Sequence, residues 1–302
     1  MQTLIEVLRK TTAYFQNKGI ESARLDAELL FANVLNCKRL DLYLRFEEPL
    51  PDADLDRLRP LVKRRGQREP LQYILGTVPF LELTLKVGQC VLIPRPETEE
   101  WVDQFSRFCG WPPDKSAQPV GSEHPVTYPS PDAILDLGTG SGAIALALAK
   151  RFPDAQVVAV DTSVEALELA RSNAELNALS ERVEFVQSDW WESIQGRRFD
   201  WIVANPPYLT AAEWSSAEPE VRDFEPKSAL VAADDGLADL KMILRGARYH
   251  LKDGGCIALE TGIFQHAALH AIAPECMGAN VAMRSVRDLN GFERVFVARL
   301  RH

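Results

Sequence analysis

Long hydrophobic runs are missing from this chain: no stretch approaches the ~18 consecutive apolar residues that a membrane-spanning helix needs. Paired cysteines are missing too. The five present, Cys37, Cys90, Cys109, Cys256 and Cys276, are odd in number and widely spaced, without a C-x-x-C, so neither a disulfide framework nor a zinc site is suggested. Histidines also number five. His266 and His270 stand one helical turn apart, but no third ligand or H-E-x-x-H accompanies them; they read as helix-surface residues and no metal is expected. Excess basic charge is absent as well: 43 acidic against 34 basic residues give a net charge of -9, which argues against a protein that coats duplex nucleic acid. The opening segment, Met1 to Lys10, has neither a signal-peptide core nor a small-residue cleavage site, so the expected location is cytoplasmic.

What is present is a globular composition, 46% hydrophobic and 25% charged over 302 residues, enough for two domains. Residues 1–76 carry helical apolar spacing: Leu4, Val7, Leu8 and Phe15 on one face, Leu25, Leu29, Ala32 and Leu35 on a second, and a further helix over Asp52–Arg65 that Pro60 should kink or restart. The basic run Lys63, Arg64, Arg65 and Arg68 is expected to be a solvated face of it. Residues 77–96 alternate in the β manner and are broken by Gly88, as in a hairpin linker. Prolines 94 and 96 then force extended backbone before a helix starting near Glu97. Residues 110–132, with six prolines, read as a surface insertion. From Ala133 to the end, strands and helices alternate, which predicts an α/β, doubly wound, mostly parallel sheet within a domain of residues 97–302.

Four segments carry chemistry. Gly138-Thr139-Gly140-Ser141-Gly142 follows the strand Ala133–Leu137 and opens an alanine-rich helix, a turn that lets a ligand approach the backbone; it suits a nicotinamide or an adenosylmethionine site equally. Asp161 ends the next strand, where a carboxylate accepts ribose hydroxyls or caps a helix. Asp189 could accept from an adenine amine and Trp190 offer a flat face, or the tryptophan could be a core anchor. Asn205-Pro206-Pro207-Tyr208 decides the reading. A planar NH2 group needs acceptors, which the Asn205 side chain and Pro206 main chain provide, a rigid frame, which two prolines provide, and a stacking plane, which Tyr208 provides.

The glycine loop, Asp161 and Asn205–Tyr208 resemble class I adenosylmethionine-dependent methyltransferases that modify planar nitrogens. Glu69–Gly76, Pro94–Glu99 and Asp288–Arg294, with the helical N-terminal module, narrow the resemblance to the HemK/PrmC family and extend it over nearly the whole chain. The resemblance implies a seven-stranded Rossmann-like sheet and methylation of the glutamine in the Gly-Gly-Gln motif of class-one peptide chain release factors. It implies S-adenosylmethionine held by Gly138, Thr139, Gly140, Ser141, Gly142, Asp161, Trp190 and Asn205. Substrate would lie against Asn205, Pro206, Pro207 and Tyr208, with Asn205, Pro206 and Tyr208 catalytic. Residues 1–76 are then expected to recognise the release factor, the alternative being a folding cap. A monomer with no stable nucleic-acid binding is expected. The rival readings are a glutamine methyltransferase of a large-subunit ribosomal protein, an exocyclic-amine (adenine) nucleic-acid methyltransferase, a nicotinamide dehydrogenase and a silent binding module.

Overall fold

Thr3 starts the first helix with a reciprocal cap: its hydroxyl accepts from the Glu6 N–H at 3.4 Å, and the Glu6 carboxylate accepts from the Thr3 N–H at 3.1 Å. The computed structural model describes residues 2–111 and 129–301, so most of the proline-rich segment 110–132 lies outside the described residues. The chain divides into two compact units, Met1–Thr77 with Ala217–Phe224, and Val78–Ser216 with Glu225–His302.

The first unit contains α1 (Leu4–Asn17), α2 (Ala23–Val34), α3 (Asp41–Leu44), α4 (Asp52–Gly66) and α5 (Leu71–Leu75). Leu4, Leu8 and Phe15 of α1 are buried as their spacing predicts. In α2 the buried surface is wider than the predicted face. Ala32 is buried and Leu29 and Leu35 pack against the core as predicted, but Leu25 is 42% exposed, and Ala27, Leu30, Phe31 and Val34 are buried as well because α2 packs against both α1 and α4. Pro60 neither splits nor ends α4, whose ends carry acids in the first turn and Lys63, Arg64 and Arg65 in the last, each sign suiting the helix dipole.

The basic run at the end of α4 is a solvated face only in part: Lys63 is exposed and Arg64 half-exposed, but Arg65 and Arg68 are drawn into an ion cluster. Arg65 is buried and donates to Asp26 at 2.7 Å and Glu220 at 2.9 Å; Arg68 donates to Glu218 at 2.7 Å and Glu220 at 2.7 and 2.5 Å. Burial opposes ionisation of Glu220, yet the guanidinium groups of Arg68 and Arg65 hold its carboxyl below the usual range. Sequence spacing hides this cluster because its acids come from α2 and from residues 217–224.

The second unit begins one residue into a hairpin, β1 (Thr77–Phe80) and β2 (Leu83–Lys86), followed by α6 (Pro96–Arg107). The hairpin is more than a linker. Phe80, Leu83 and Leu85 are buried in the unit's core, and Asn173 brackets Lys86, accepting from its N–H at 2.6 Å and donating to its carbonyl at 3.0 Å. There follow β3 (Ala133–Leu137), α7 (Ala143–Arg151), β4 (Gln156–Asp161), α8 (Val164–Leu176), β5 (Val183–Gln187) and β6 (Phe199–Ala204). The next connection carries α9 (Ala211–Ser216), α10 (Pro219–Phe224, part of the first unit), the single turn α11 (Ala233–Gly236) and α12 (Ala238–His250). The chain closes with β7 (Leu251–Glu260), α13 (His266–Met277), β8 (Val281–Arg287) and β9 (Glu293–Leu300).

These strands form a seven-stranded sheet in the order β5-β4-β3-β6-β7-β9-β8, parallel from β5 through β7 and antiparallel thereafter. Alternation along each strand sends Ile134, Val157 and Val203 to one core with α6 and α7, and Leu135, Val158 and Ile202 to another with α12 and α13. The sheet is therefore covered on both faces, as the doubly wound reading predicts. From β3 the chain moves first outward to β4 and β5, then back across to β6. That reversal leaves a crevice at the carboxyl ends of the strands, where such sheets bind ligands.

His266 is also placed differently from expectation. It is buried, and its ring meets Thr261 and Ser285 at 2.9 Å each, with His270 meeting the same serine at 3.0 Å. Burial pushes the His266 pKa down to about 4. Among the described residues no cluster could hold a metal ion, and no helix is long and apolar enough to cross a membrane.

Candidate functional site

At the switch point lies a crevice of about 440 Å3. Its wall draws Gly138, Thr139, Gly140 and Ser141 from the end of β3, Asp161 from β4, Trp190 from the turn after β5, and Asn205, Pro206 and Pro207 from the end of β6. Four adjacent strands thus deliver most of the sequence-predicted residues to one place.

Gly142 and Tyr208 do not line it. Gly142, at φ +82°, caps α7, and a Cβ there would stand 3.2 Å from both the Ala170 Cβ and the Leu146 Cδ1. Its role is the close approach of two helices. At Gly140 a Cβ would meet nothing within 4 Å, so that backbone faces open space. Asp161 fixes the loop: Oδ2 accepts from the Gly140 N–H at 2.8 Å and Oδ1 from the Ser163 N–H at 2.9 Å, which leaves each oxygen a further lone pair. Trp190 adopts φ +44°, a strained conformation for a tryptophan, and its ring lies across Gly138. Asp189 is exposed and does not line the crevice.

Beneath the loop, Asp136 is fully buried and accepts from the Thr139 hydroxyl at 2.6 Å and the Ala145 N–H at 3.1 Å. Burial pushes its carboxyl up to about 7, against those two hydrogen bonds. Between the unfolded value near 3.8 and about 7 the native state holds a proton that the unfolded state has released, so this group's stabilisation is present at low pH and lost as pH rises through 7. Urea titrations of Asp136→Asn, which carries no such proton, are expected to lose that part of the pH dependence; an unchanged profile would place the titration elsewhere.

The Asn205–Tyr208 segment is held at both ends. Asn205 Nδ2 donates to Thr98 Oγ1 at 3.3 Å. The Tyr208 hydroxyl donates to Glu260 at 3.2 Å, and the Tyr208 carbonyl accepts from Gln265 at 2.9 Å. Gly236 lies against that carbonyl, where a Cβ would come within 2.2 Å of the oxygen. Glu260, buried at the end of β7, also accepts from the Thr98 hydroxyl at 2.6 Å and the Trp101 indole at 2.8 Å. Burial raises its pKa, opposed by those donors; burial and then the adjacent Glu260 raise that of Tyr208, which stays a phenol. A second buried acid, Glu225, accepts from the Ile93 N–H at 3.1 Å and from Arg95 at 2.6 Å, setting both beside the lining residue Pro94.

Residues 6–76 match the PrmC N-terminal domain family and residues 122–218 the methyltransferase small domain family. A release factor glutamine methyltransferase of Geobacter sulfurreducens is 38% identical over 99% of this chain and 97% of its own length. Another, from Salmonella typhimurium, is 40% identical over 94% and 95%. The chain belongs to the release factor glutamine methyltransferase family. Among solved structures, a 16S rRNA N2 G1207 methyltransferase of T. thermophilus in complex with AdoMet and guanosine superposes with a TM-score of 0.50 at 21% identity, covering 74% of this chain and 50% of that one, a likeness of fold.

In this family member, sequence reasoning missed Glu260, Trp101 and Glu225 and left Thr98 without a role. Glu260 ends an apolar strand, Ile257-Ala258-Leu259, and a lone acid at the carboxyl end of a parallel strand was the available signal.

Proposed function

We propose that this chain transfers the methyl group of S-adenosylmethionine to the side-chain amide nitrogen of the Gly-Gly-Gln glutamine in class-one peptide chain release factors. The observation that carries the reading is the placement of two residues with acceptor oxygens, Asn205 and Pro206, on the same crevice wall as the glycine loop and Asp161. The residues present fit the cofactor. The crevice volume is within the ~300–1,000 Å3 of ligand pockets, Gly140 leaves its backbone open, Asp161 keeps spare lone pairs, and Trp190 offers an apolar face.

Bound S-adenosylmethionine supplies an electrophilic methyl on a sulfonium. The protein's own part is to hold and aim the acceptor. An amide nitrogen is a poor nucleophile because its lone pair is delocalised into the carbonyl. The Asn205 carbonyl oxygen and the Pro206 carbonyl take its two N–H bonds and stabilise the positive charge that develops there, until the methylated nitrogen sheds one of the two protons to water; S-adenosylhomocysteine is the other product. Prolines 206 and 207 keep those acceptors from turning away. Tyr208, held neutral and tied to Glu260, supports the far end of the segment, and orientation does most of the work. Residues 1–76 serve in recognising the release factor.

Asp161→Ala is expected to weaken S-adenosylmethionine binding about tenfold or more, the loss typical of hydrogen bonds to a charged group; calorimetry giving an unchanged Kd would remove the acid from the site. The function itself is tested by transfer of labelled methyl to a purified class-one release factor, beside a variant with the Gly-Gly-Gln glutamine replaced. Label on the native factor alone is the expected result. No label on either, from enzyme that binds the cofactor, would overturn the reading and turn attention to the ribosomal protein and then to nucleic acid.

A further inference from the structure

A hydroxyl group has one proton. The Thr98 hydroxyl points its proton at Glu260, 2.6 Å away, so the same oxygen can offer only a lone pair to its other neighbour. That neighbour is the Asn205 side chain, at 3.3 Å. An amide facing a lone pair must present its NH2, and a planar amide that turns its NH2 one way turns its carbonyl oxygen the other. Asn205 Oδ1 makes no hydrogen bond to any described residue, and Asn205 lines the crevice. We propose that Thr98 and Glu260 are positioning residues for the methyl-acceptor site: the carboxylate takes the threonine proton, and the threonine in turn locks Asn205 with its carbonyl oxygen toward the substrate.

The direction of the whole chain of bonds is set at its buried end. Glu260 is 1% exposed, and the Trp101 indole, which can only donate, shares Oε2 with Thr98. Oε2 must therefore be an acceptor. It cannot give a proton to Thr98 without facing the indole N–H with its own hydrogen. On the other oxygen the Tyr208 hydroxyl donates, so one carboxylate orients the first and last residues of the Asn205–Tyr208 segment together. Were the Thr98 hydroxyl reversed, Asn205 would rotate its NH2 into the crevice, where it would face the N–H groups of a primary amide with donors of its own. Acceptor binding would be lost while the cofactor wall at Gly138–Ser141 and Asp161 stayed in place.

This inference rests on the amide-methylating reading for its kinetic consequence and on the structure alone for the orientation of Asn205, and the two are measured separately. Thr98→Val keeps the shape and removes the hydroxyl. It is expected to lower kcat about tenfold to a hundredfold, the scale of a misplaced reacting group, with the S-adenosylmethionine Kd changed by no more than about twofold. Thr98→Ser, which restores the hydroxyl, is expected to recover kcat. Independently of any acceptor, the Asn205 side-chain NH2 resonances, assigned by their disappearance in Asn205→Asp, are expected to shift and exchange faster with water in Thr98→Val. In Glu260→Gln the indole forces the new amide to keep its oxygen toward Thr98, so the Asn205 signals are expected to stay where they are. Wild-type kcat and unchanged Asn205 resonances in folded Thr98→Val would overturn the proposal. If the wild-type enzyme fails to methylate the release factor while the resonances respond as stated, it is the function that falls and the orientation that stands.

Discussion

Replacing Asn205 with alanine is expected to lower kcat for methyl transfer about 10²–10³-fold, the usual cost of removing one preorganised group that stabilises developing charge. Affinity for S-adenosylmethionine is expected to stay within a few-fold. The asymmetry follows from where the residue stands. Asn205 is at the β6 end of the crevice, while the glycine loop and Asp161 come from β3 and β4 and keep their own bonds without it. With alanine in place the Pro206 carbonyl remains, so one N–H of the acceptor amide is still held and the reaction is slowed, not abolished. Single-turnover rates with saturating cofactor, set beside calorimetric Kd values, separate the two quantities. Equal losses in both would show that Asn205 serves the cofactor and not the acceptor.

The second large effect is on stability. Arg65→Ala is expected to destabilise the helical unit by about 3–5 kcal/mol, because removing one member of a buried ion cluster strands the others. Asp26 would lose its bond to Arg65 inside the protein, and Glu220 would keep only Arg68. Because Asp26 and Arg65 are only 6% exposed at their side chains, added salt is expected to do little to the difference, which an exposed pair would not show. Urea unfolding of Arg65→Ala, Asp26→Ala and the double variant tests it. The double variant is expected to cost clearly less than the two singles added, since the second substitution removes the stranded charge. A single-variant loss below about 1 kcal/mol would class the cluster with ordinary surface pairs.

What the sequence discloses and what it withholds divide along a physical line. The glycine loop, Asp161 and Asn205–Tyr208 are legible because each is a contiguous piece of chain whose local geometry is its function; β3 is found at the predicted limits and β4 ends at Asp161 as predicted. Thr98 and Glu260 meet across 162 positions, Arg65 and Glu220 across 155, and no local pattern marks such pairs. Periodicity finds only part of the buried surface of α2, because a helix with neighbours on several sides has no single apolar stripe. Gly142 shows the converse limit: it stands between Ser141 and Ala143, which line the crevice, yet its own close contacts are with Ala170 and Leu146 in the helix packing.

The membership of residues 217–224 in the first unit also imposes an order on synthesis. The ribosome releases α1 to α5 first, but the acids that neutralise Arg68 and complete the setting of Arg65 arrive 150 to 155 residues later. At ~5–20 residues per second that is a wait on the order of ten seconds or more. Through that interval Arg65 has, of its described partners, only Asp26 and the Glu69 carbonyl, and the clasp with Glu220 closes only after β6 and the Asn205–Tyr208 segment have been made.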